Sequence, residues 1–282
     1  MLYGKYNGRR ICAAFLLMSL PFGMFFPSKT VLSEDYFHRS FEWYYKGLRW
    51  TWNLSVPLSL YNVYNSVSVS DRTRRGPSGY GFLVTTRDQY VKQVAYKLHD
   101  VSVQQGYEAY DEVSFLLAFV QSLPYTSDSV TTKYDEYPRF PIETLVDGGG
   151  DCEDTSILFA TLVIILNYSA IFISPPEHYA VGVWGKNLQG FYYTFNDRTY
   201  YYCETTGDDW RIGDIPSDFE GTSASLYSID ENKQYIHGQF DPLNPGSWLR
   251  VEFAAVFAVL IIGLVYILRK RKKEREVEEF VP

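Results

Sequence analysis

The sequence predicts an α+β protein in which helices come first and an antiparallel sheet follows. Apolar residues recur at helical spacing through residues 86–123, and residues 153–167 form one almost wholly apolar segment. From residue 168 onward, short runs of β-branched and aromatic residues alternate with turn sequences. Aromatic residues make up 18% of the chain, which favours strand-rich segments over a pure helical bundle.

The first elements lie between residues 40 and 123. Loose alternation of aromatic and β-branched residues over 40–69 predicts two or three strands, or a strand pair and a short helix. The polar segment 70–81 contains glycine and proline and predicts a loop. Two helices are predicted next, over residues 86–107 and 111–123, and Pro124 ends the second.

A loop is predicted for residues 125–141, and the glycines at 148–150 precede the apolar helix, which we expect at the centre of the domain. These glycines free the backbone to turn and would let a substrate backbone come close. After the helix, four strands are predicted, with the sequences YSAIFIS, HYAVGVW, FYYTF and TYYYCETT.

Charge and cysteine content exclude three classes of protein. Lysine and arginine total 26 against 33 acidic residues, for a net charge of −7, whereas binding to nucleic acid depends mainly on cationic side chains. We therefore expect no nucleic-acid partner. Three cysteines without a CxxC motif or a Cys/His ligand pair exclude a disulfide scaffold and a structural zinc site.

Both ends of the chain predict membrane segments. Residues 1–26 carry basic residues followed by an apolar stretch, which is the plan of a signal peptide or a signal anchor, and cleavage and retention both stay open. Residues 249–268 predict a transmembrane helix, followed by RKRKK in a cytoplasmic tail at 269–282. The positive-inside rule then places the intervening chain outside the cell membrane, as a single-pass or two-pass protein. That chain divides into an extension, 27–110, and a domain, 111–248.

Cys152 is the candidate nucleophile. It stands at the predicted start of a helix, where unsatisfied N–H groups and the helix dipole lower a thiol pKa and can hold an oxyanion. His178, at the start of a predicted strand, is the candidate base, because the other histidines have no paired acid nearby. Glu204 is the candidate third residue, since it ends a strand that can pair beside that of His178. Asp197, in the NDR turn, is the alternative acid.

The segments GGGDCEDTSILFATL, EHYAVGVW and YYYCETTGDDWRIGDIP carry a family resemblance. Over residues 125–216 the chain resembles the transglutaminase-like superfamily of papain-type thiol enzymes, and in particular microbial extracytoplasmic transglutaminase-like cysteine proteinases. The resemblance implies a central helix bearing the cysteine, packed on an antiparallel sheet, and a triad of Cys152, His178 and Glu204. The superfamily usually has aspartate at the position of Glu204.

The resemblance also raises the question of calcium. In calcium-dependent members of the proteinase group, acidic residues flanking the cysteine bind the ion, and Asp151, Glu153 and Asp154 match them. Carboxylates are suitable calcium ligands, but the same three acids also serve as a plain helix N-terminal cap. Calcium is therefore an open alternative, and the predicted chemistry requires no cofactor.

The sequence thus predicts a membrane-anchored thiol enzyme that acts on peptide or amide bonds of a protein or peptide substrate at the cell surface. Acyl transfer through Cys152 is expected to be hydrolytic, as in a cysteine peptidase or amidase. The alternatives are a protein-glutamine crosslinking transferase and a non-catalytic peptide-binding or structural module. A disulfide between Cys152 and Cys203 would abolish nucleophilic chemistry. Gln121 is a further candidate, as a second oxyanion donor.

Overall fold

A computed structural model describes residues 34–229 of the 282-residue chain. The predicted α+β class is confirmed, because helices surround a central helix that packs on an antiparallel sheet. The helices are α1 Leu58–Asn65, α2 Val69–Thr73, α3 Gln89–Gln104, α4 Ala109–Gln121, α5 Asp128–Thr131, α6 Pro141–Asp147 and α7 Cys152–Ile165, with short 3-10 helices at Gly76–Leu83 and Ser217–Phe219. The strands are β1 Tyr36–Tyr45, β2 Leu48–Pro57, β3 Ser169–Ser174, β4 Ala180–Trp184, β5 Tyr192–Phe195, β6 Arg198–Cys203 and β7 Ser225–Ser228.

The first two strands form a separate antiparallel hairpin. Lys46 and Gly47 form its tight turn, with positive φ values of 50° and 74°. Turns of this kind are favoured in hairpins because their twist matches the right-handed twist of the strands. Alternate side chains of β1 point inward, and Phe41 and Trp43 contact the ring of Phe119 on α4 edge-on. Helix α1 follows this hairpin directly. Of the two predictions for residues 40–69, the strand pair with a short helix is therefore the correct one.

The prediction of a loop for residues 70–81 is wrong, since this segment contains most of α2 and of the first 3-10 helix. Ser68 caps α2 by accepting a hydrogen bond from the backbone N–H of Asp71. The guanidinium of Arg72 is buried against the carboxylate of Glu143 on α6. A tertiary contact therefore holds this polar segment in helical form.

The second sheet has five antiparallel strands in the order β5-β6-β4-β3-β7. Strand β7 was not predicted from the sequence. It pairs with the edge of β3 that faces away from β4. Helix α7 packs against β3 and β4 on one side and against α3, α4 and α6 on the other. Phe159 and Leu162 have no exposed surface, and each buried side chain of this kind stabilises the fold by about 1.5–3 kcal/mol. The central position predicted for this helix is confirmed.

The predicted membrane segments, 1–26 and 249–268, and the tail at 269–282 lie outside the described residues. Within residues 34–229, every helix is too short or too polar to cross a bilayer.

Candidate active site

His178 and Glu204 meet where β4 and β6 pair. The register places Val181 opposite Cys203, so the turn before β4 lies beside the residue that follows β6. His178 belongs to that turn rather than to a strand, because its backbone N–H bonds the carbonyl of Pro175 at 3.3 Å after Glu177 adopts a left-handed conformation with φ 56°. The turn fixes the backbone from which the imidazole projects.

The imidazole and the carboxylate are directly bonded. Nε2 of His178 lies 2.9 Å from Oε2 and 3.1 Å from Oε1 of Glu204, and a carboxylate that only accepts requires the proton on Nε2. Tyr202 and Thr206 also donate to the carboxylate, from the phenol, the backbone N–H and the threonine hydroxyl. Burial raises the pKa of Glu204, but the hydrogen bond and charge of His178 outweigh it and hold that pKa below its ordinary value. Asp197, by contrast, is exposed in the β5–β6 turn.

A hydroxyl network brings the start of α7 to this pair. Ser156, one turn after Cys152, donates to the carbonyl of Tyr179 at 3.2 Å. The hydroxyls of Thr155 and Ser156 each lie 3.0 Å from that of Thr205. Because Tyr179 and Thr205 directly follow His178 and Glu204, the network fixes all three segments together. No pattern in the sequence marks these hydroxyls as site residues.

The thiol of Cys152 is partly exposed and protonated in this arrangement. Its Sγ donates to Oε2 of Glu153 at 3.2 Å. Burial first, then the charge and hydrogen bond of Glu153 and the charge of Asp151, raise the pKa of Cys152 well above its usual range, while the backbone N–H of Tyr179 opposes them. The expectation that the helix start lowers this pKa is therefore wrong, because neighbouring carboxylates and burial outweigh the dipole. Cys152 and Cys203 are both free thiols, so the structure contains no disulfide between them.

The glycines before Cys152 serve the fold rather than an approaching substrate. Gly148 ends α6 in the left-handed conformation, with φ 76°. A Cβ at Gly149 would lie 2.4 Å from the carbonyl oxygen of Pro124, and one at Gly150 would lie 2.3 Å from a carboxylate oxygen of Asp154. At Gly149 and Gly150 the space beside the backbone is therefore filled by the protein's own atoms.

Gln121 has a structural contact in place of the role considered for it. Its side-chain amide donates to the backbone carbonyls of Glu204 at 2.7 Å and Trp210 at 3.1 Å. Both bonds consume the amide N–H groups that an oxyanion donor would need. Gln121 instead supports the backbone of Glu204 from α4.

Three acidic side chains gather at the start of α7, but they are not the predicted three. Ligand atoms of Asp128, Asp151 and Glu153 all lie within 4.8 Å of one another. Asp154 accepts hydrogen bonds from the backbone N–H and the guanidinium of Arg139, and the same guanidinium also donates to Asp128 at 2.7 Å. Asp128 lies more than twenty residues before Asp151 in the sequence, in the segment predicted as a loop, so no local pattern identified it.

The acidic cluster has the features of a cation site. Oδ1 of Asp151 is buried and has no hydrogen-bond partner. Burial and the charge of Glu153 raise the pKa of Asp151 to about 8, and burial and the charge of Asp154 raise the pKa of Glu153 to about 7. Carboxylate oxygens at this spacing, one of them unpaired, fit a hard divalent cation such as calcium.

No protein-family model and no curated protein matches this sequence. Solved structures of LapG from Legionella pneumophila are similar to part of the chain. The EGTA-treated structure is 14% identical and covers 62% of this chain and 86% of LapG, with a TM-score of 0.32. The calcium-bound structure is 16% identical and covers 57% and 98%, with a TM-score of 0.27.

Proposed function

We propose that this protein is a transglutaminase-like thiol enzyme that hydrolyses peptide or amide bonds through Cys152. The observation that carries the proposal is the hydroxyl network of Thr155, Ser156 and Thr205, which ties the start of α7 to the bonded pair of His178 and Glu204. A cysteine on a central helix packed against an antiparallel sheet is also the arrangement that the sequence resemblance implies.

The first half-reaction is acylation. Because Glu204 occupies Nε2 of His178, Nδ1 is the ring nitrogen that takes the thiol proton. Sγ of Cys152 then attacks the carbonyl carbon, and backbone N–H groups in the first turn of α7 stabilise the oxyanion. When the C–N bond breaks, His178 returns its proton to the leaving amine, and a thioester remains on Cys152.

Deacylation decides the class of enzyme. Water attacks the thioester and gives its proton to His178, which passes it to the departing thiolate, so that a carboxylic acid leaves and the enzyme is restored. An amine in place of water would produce an amide and a crosslinking transferase. We propose hydrolysis because water is the only co-substrate that it needs.

Labelling the purified full chain with iodoacetamide tests this proposal. A nucleophile paired with a base should alkylate at Cys152 at a rate that falls by at least about tenfold in His178→Ala and falls less in Glu204→Gln. Cys203→Ala is the matched control, because its thiol is fully buried and should contribute no label. In parallel, a peptide library analysed by mass spectrometry should show cleavage that disappears in Cys152→Ala. Unchanged alkylation in His178→Ala, together with no cleavage, would instead favour a non-catalytic peptide-binding module.

We further propose that Asp128, Asp151 and Glu153 hold calcium. Their clustered carboxylates and the unpaired Oδ1 of Asp151 support this donor set. A bound divalent cation would offset the negative charge of carboxylates next to the thiol.

The location of the enzyme is also a proposal. The apolar segment at 251–268, followed by RKRKK, supports a membrane anchor with the catalytic domain outside the cell, where a surface protein or peptide would be its substrate. Protease protection of the domain in sealed, right-side-out vesicles would contradict this orientation.

A further inference from the structure

The ring of Phe219 lies flat against the imidazole of His178. The two ring centroids are 4.8 Å apart and the planes differ by only 10°. Phe219 comes from a 3-10 helix far along the chain from His178, between β6 and β7, so neither residue positions the other through local backbone. The sequence gives no indication of this contact.

The segment that carries Phe219 is itself well fixed. The backbone N–H of Phe219 bonds the carbonyl of Pro216 at 3.0 Å, and the carbonyl of Phe219 accepts from both the backbone N–H and the hydroxyl of Thr222. Strand β7 follows and pairs with β3, with Ser225 opposite Ser174. Ser174 in turn donates to the carbonyl of His178 at 3.3 Å. The stacked ring and the imidazole are thus anchored to the same end of the sheet.

Hydrogen bonding alone leaves one motion of the imidazole unrestrained. Glu204 holds the ring at a single nitrogen, Nε2, and an imidazole bonded at one nitrogen can still tilt about that bond. A parallel aromatic ring against its face opposes such a tilt, since stacking depends on the two planes staying aligned. The apolar ring also keeps water from that face, which strengthens the hydrogen bond to the carboxylate.

We propose that Phe219 is a positioning residue, which holds the plane of the His178 imidazole so that Nδ1 faces the thiol of Cys152. This inference depends on the proposed function, because it assigns Phe219 a role in the same proton transfer. Phe219 has no group that can exchange a proton. Its effect on catalysis passes entirely through the orientation of His178.

The test compares variants of the full chain that keep or remove the ring. Phe219→Leu keeps apolar bulk without an aromatic face, Phe219→Tyr keeps the ring, and Phe195→Leu removes an aromatic ring that packs on Tyr200 in the β5–β6 hairpin instead. If the leucine variant fails to fold, Phe219→Met replaces it, since its flexible unbranched side chain can fill the space left by the ring. Circular dichroism establishes the fold of each variant.

Two measurements test the role of the Phe219 ring. Proton NMR of the histidine rings, with His178 assigned by its loss in His178→Ala, should show an upfield ring-current shift that disappears in Phe219→Leu and persists in Phe219→Tyr. The iodoacetamide rate at Cys152 should fall about three- to tenfold in Phe219→Leu, the factor expected for loss of a typical aromatic pair. Phe219→Tyr should restore the rate to within about twofold, and Phe195→Leu should leave it unchanged.

Three outcomes separate this inference from the proposed function. A wild-type spectrum without the ring-current shift would overturn the inference. So would a leucine variant that loses the shift and keeps the wild-type rate, and the proposed function would then stand. An alkylation rate that His178→Ala leaves unchanged in the wild-type background would overturn the proposed function, and the inference with it.

Discussion

Cys152 and Glu153, neighbours at the start of α7, share a hydrogen bond in which the thiol donates to the carboxylate at 3.2 Å. Glu153 is itself mostly buried, so its negative charge acts on the thiol with little screening by solvent. The carboxylate stabilises the protonated thiol and opposes the thiolate. Glu153 therefore limits the nucleophile in this arrangement.

Glu153→Gln should make Cys152 more reactive. The amide removes the charge that raises the thiol pKa, so the thiolate fraction at neutral pH increases, by about tenfold for each unit by which the pKa falls. The pH dependence of the iodoacetamide rate measures the change. Glu42→Gln, at an exposed ion pair with Arg49 on the hairpin, is the control. A rate profile that does not move to lower pH would show that burial and the charge of Asp151 set the thiol pKa without Glu153.

Glu204 should make the free energy of unfolding depend on pH in the acidic range. Its pKa lies below the ordinary value of 4.5, so the native state binds fewer protons than the unfolded state in this range. The stabilisation is complete above about pH 4.5 and is lost as the pH falls through the lowered pKa. Urea unfolding between about pH 3 and pH 7 should show a loss of stability at low pH that is smaller in Glu204→Gln. Identical pH dependence in the variant would contradict this assignment; Glu220→Gln, at an exposed position, should match the wild type.

Calcium should raise the melting temperature of the full chain. A ligand that binds only the native state stabilises it by about 2.7 kcal/mol at one hundred times its dissociation constant. Asp151→Asn should abolish the increase, because it removes the charge of the carboxylate whose Oδ1 has no partner. Asp71→Asn, at an exposed pair with Arg74, should retain the increase. An equal increase in both variants would place calcium binding elsewhere.

Arg72→Met should destabilise the protein by about 3–5 kcal/mol, the usual result of breaking a buried ion pair. Both partners are fully buried, and Arg72 also donates to the carbonyls of Tyr64, Val67 and Pro138. Urea unfolding measures the cost. In a double-mutant cycle, Arg72→Met with Glu143→Leu should cost less than the sum of the single changes. Arg74→Met, at an exposed pair, should cost less than about 1 kcal/mol; a similar cost for both arginines would show that burial of the pair is unimportant.

Local patterns predicted the elements with clear periodicity. The apolar run of α7 and the aromatic alternation of β3 to β6 identified those elements because each depends on the burial of its own side chains. The expected pairing of the strand that ends at Glu204 beside the strand of His178 is also confirmed, as β6 with β4. The helical form of α2 did not, because it depends on Glu143, which is remote in the sequence.

For the candidate site, too, some features could be predicted from the sequence and others could not. The sequence predicted Cys152, His178 and Glu204 as candidates from residue types and their order, and the structure bonds His178 to Glu204. The sequence also predicted Asp151 and Glu153 as acidic neighbours of the cysteine. It did not show that Asp154 pairs with the distant Arg139, which also pairs with Asp128. The sign of the thiol pKa shift was wrong for a related reason. Helix position is visible in a sequence, whereas the burial that strengthens the charge of Glu153 is a property of the folded state.

The pairing of β7 with β3 sets the order in which this domain can mature during synthesis. A ribosome releases β3, β4 and β6 before β7, so for that interval the outer edge of β3 carries unpaired backbone groups that another nascent chain can join. Phe219 emerges in the same late stretch. A chain interrupted before Ser225 therefore contains the thiol, the imidazole and the carboxylate but lacks the strand that closes the sheet. Closure of this edge of the sheet thus waits for the last strand to be synthesised.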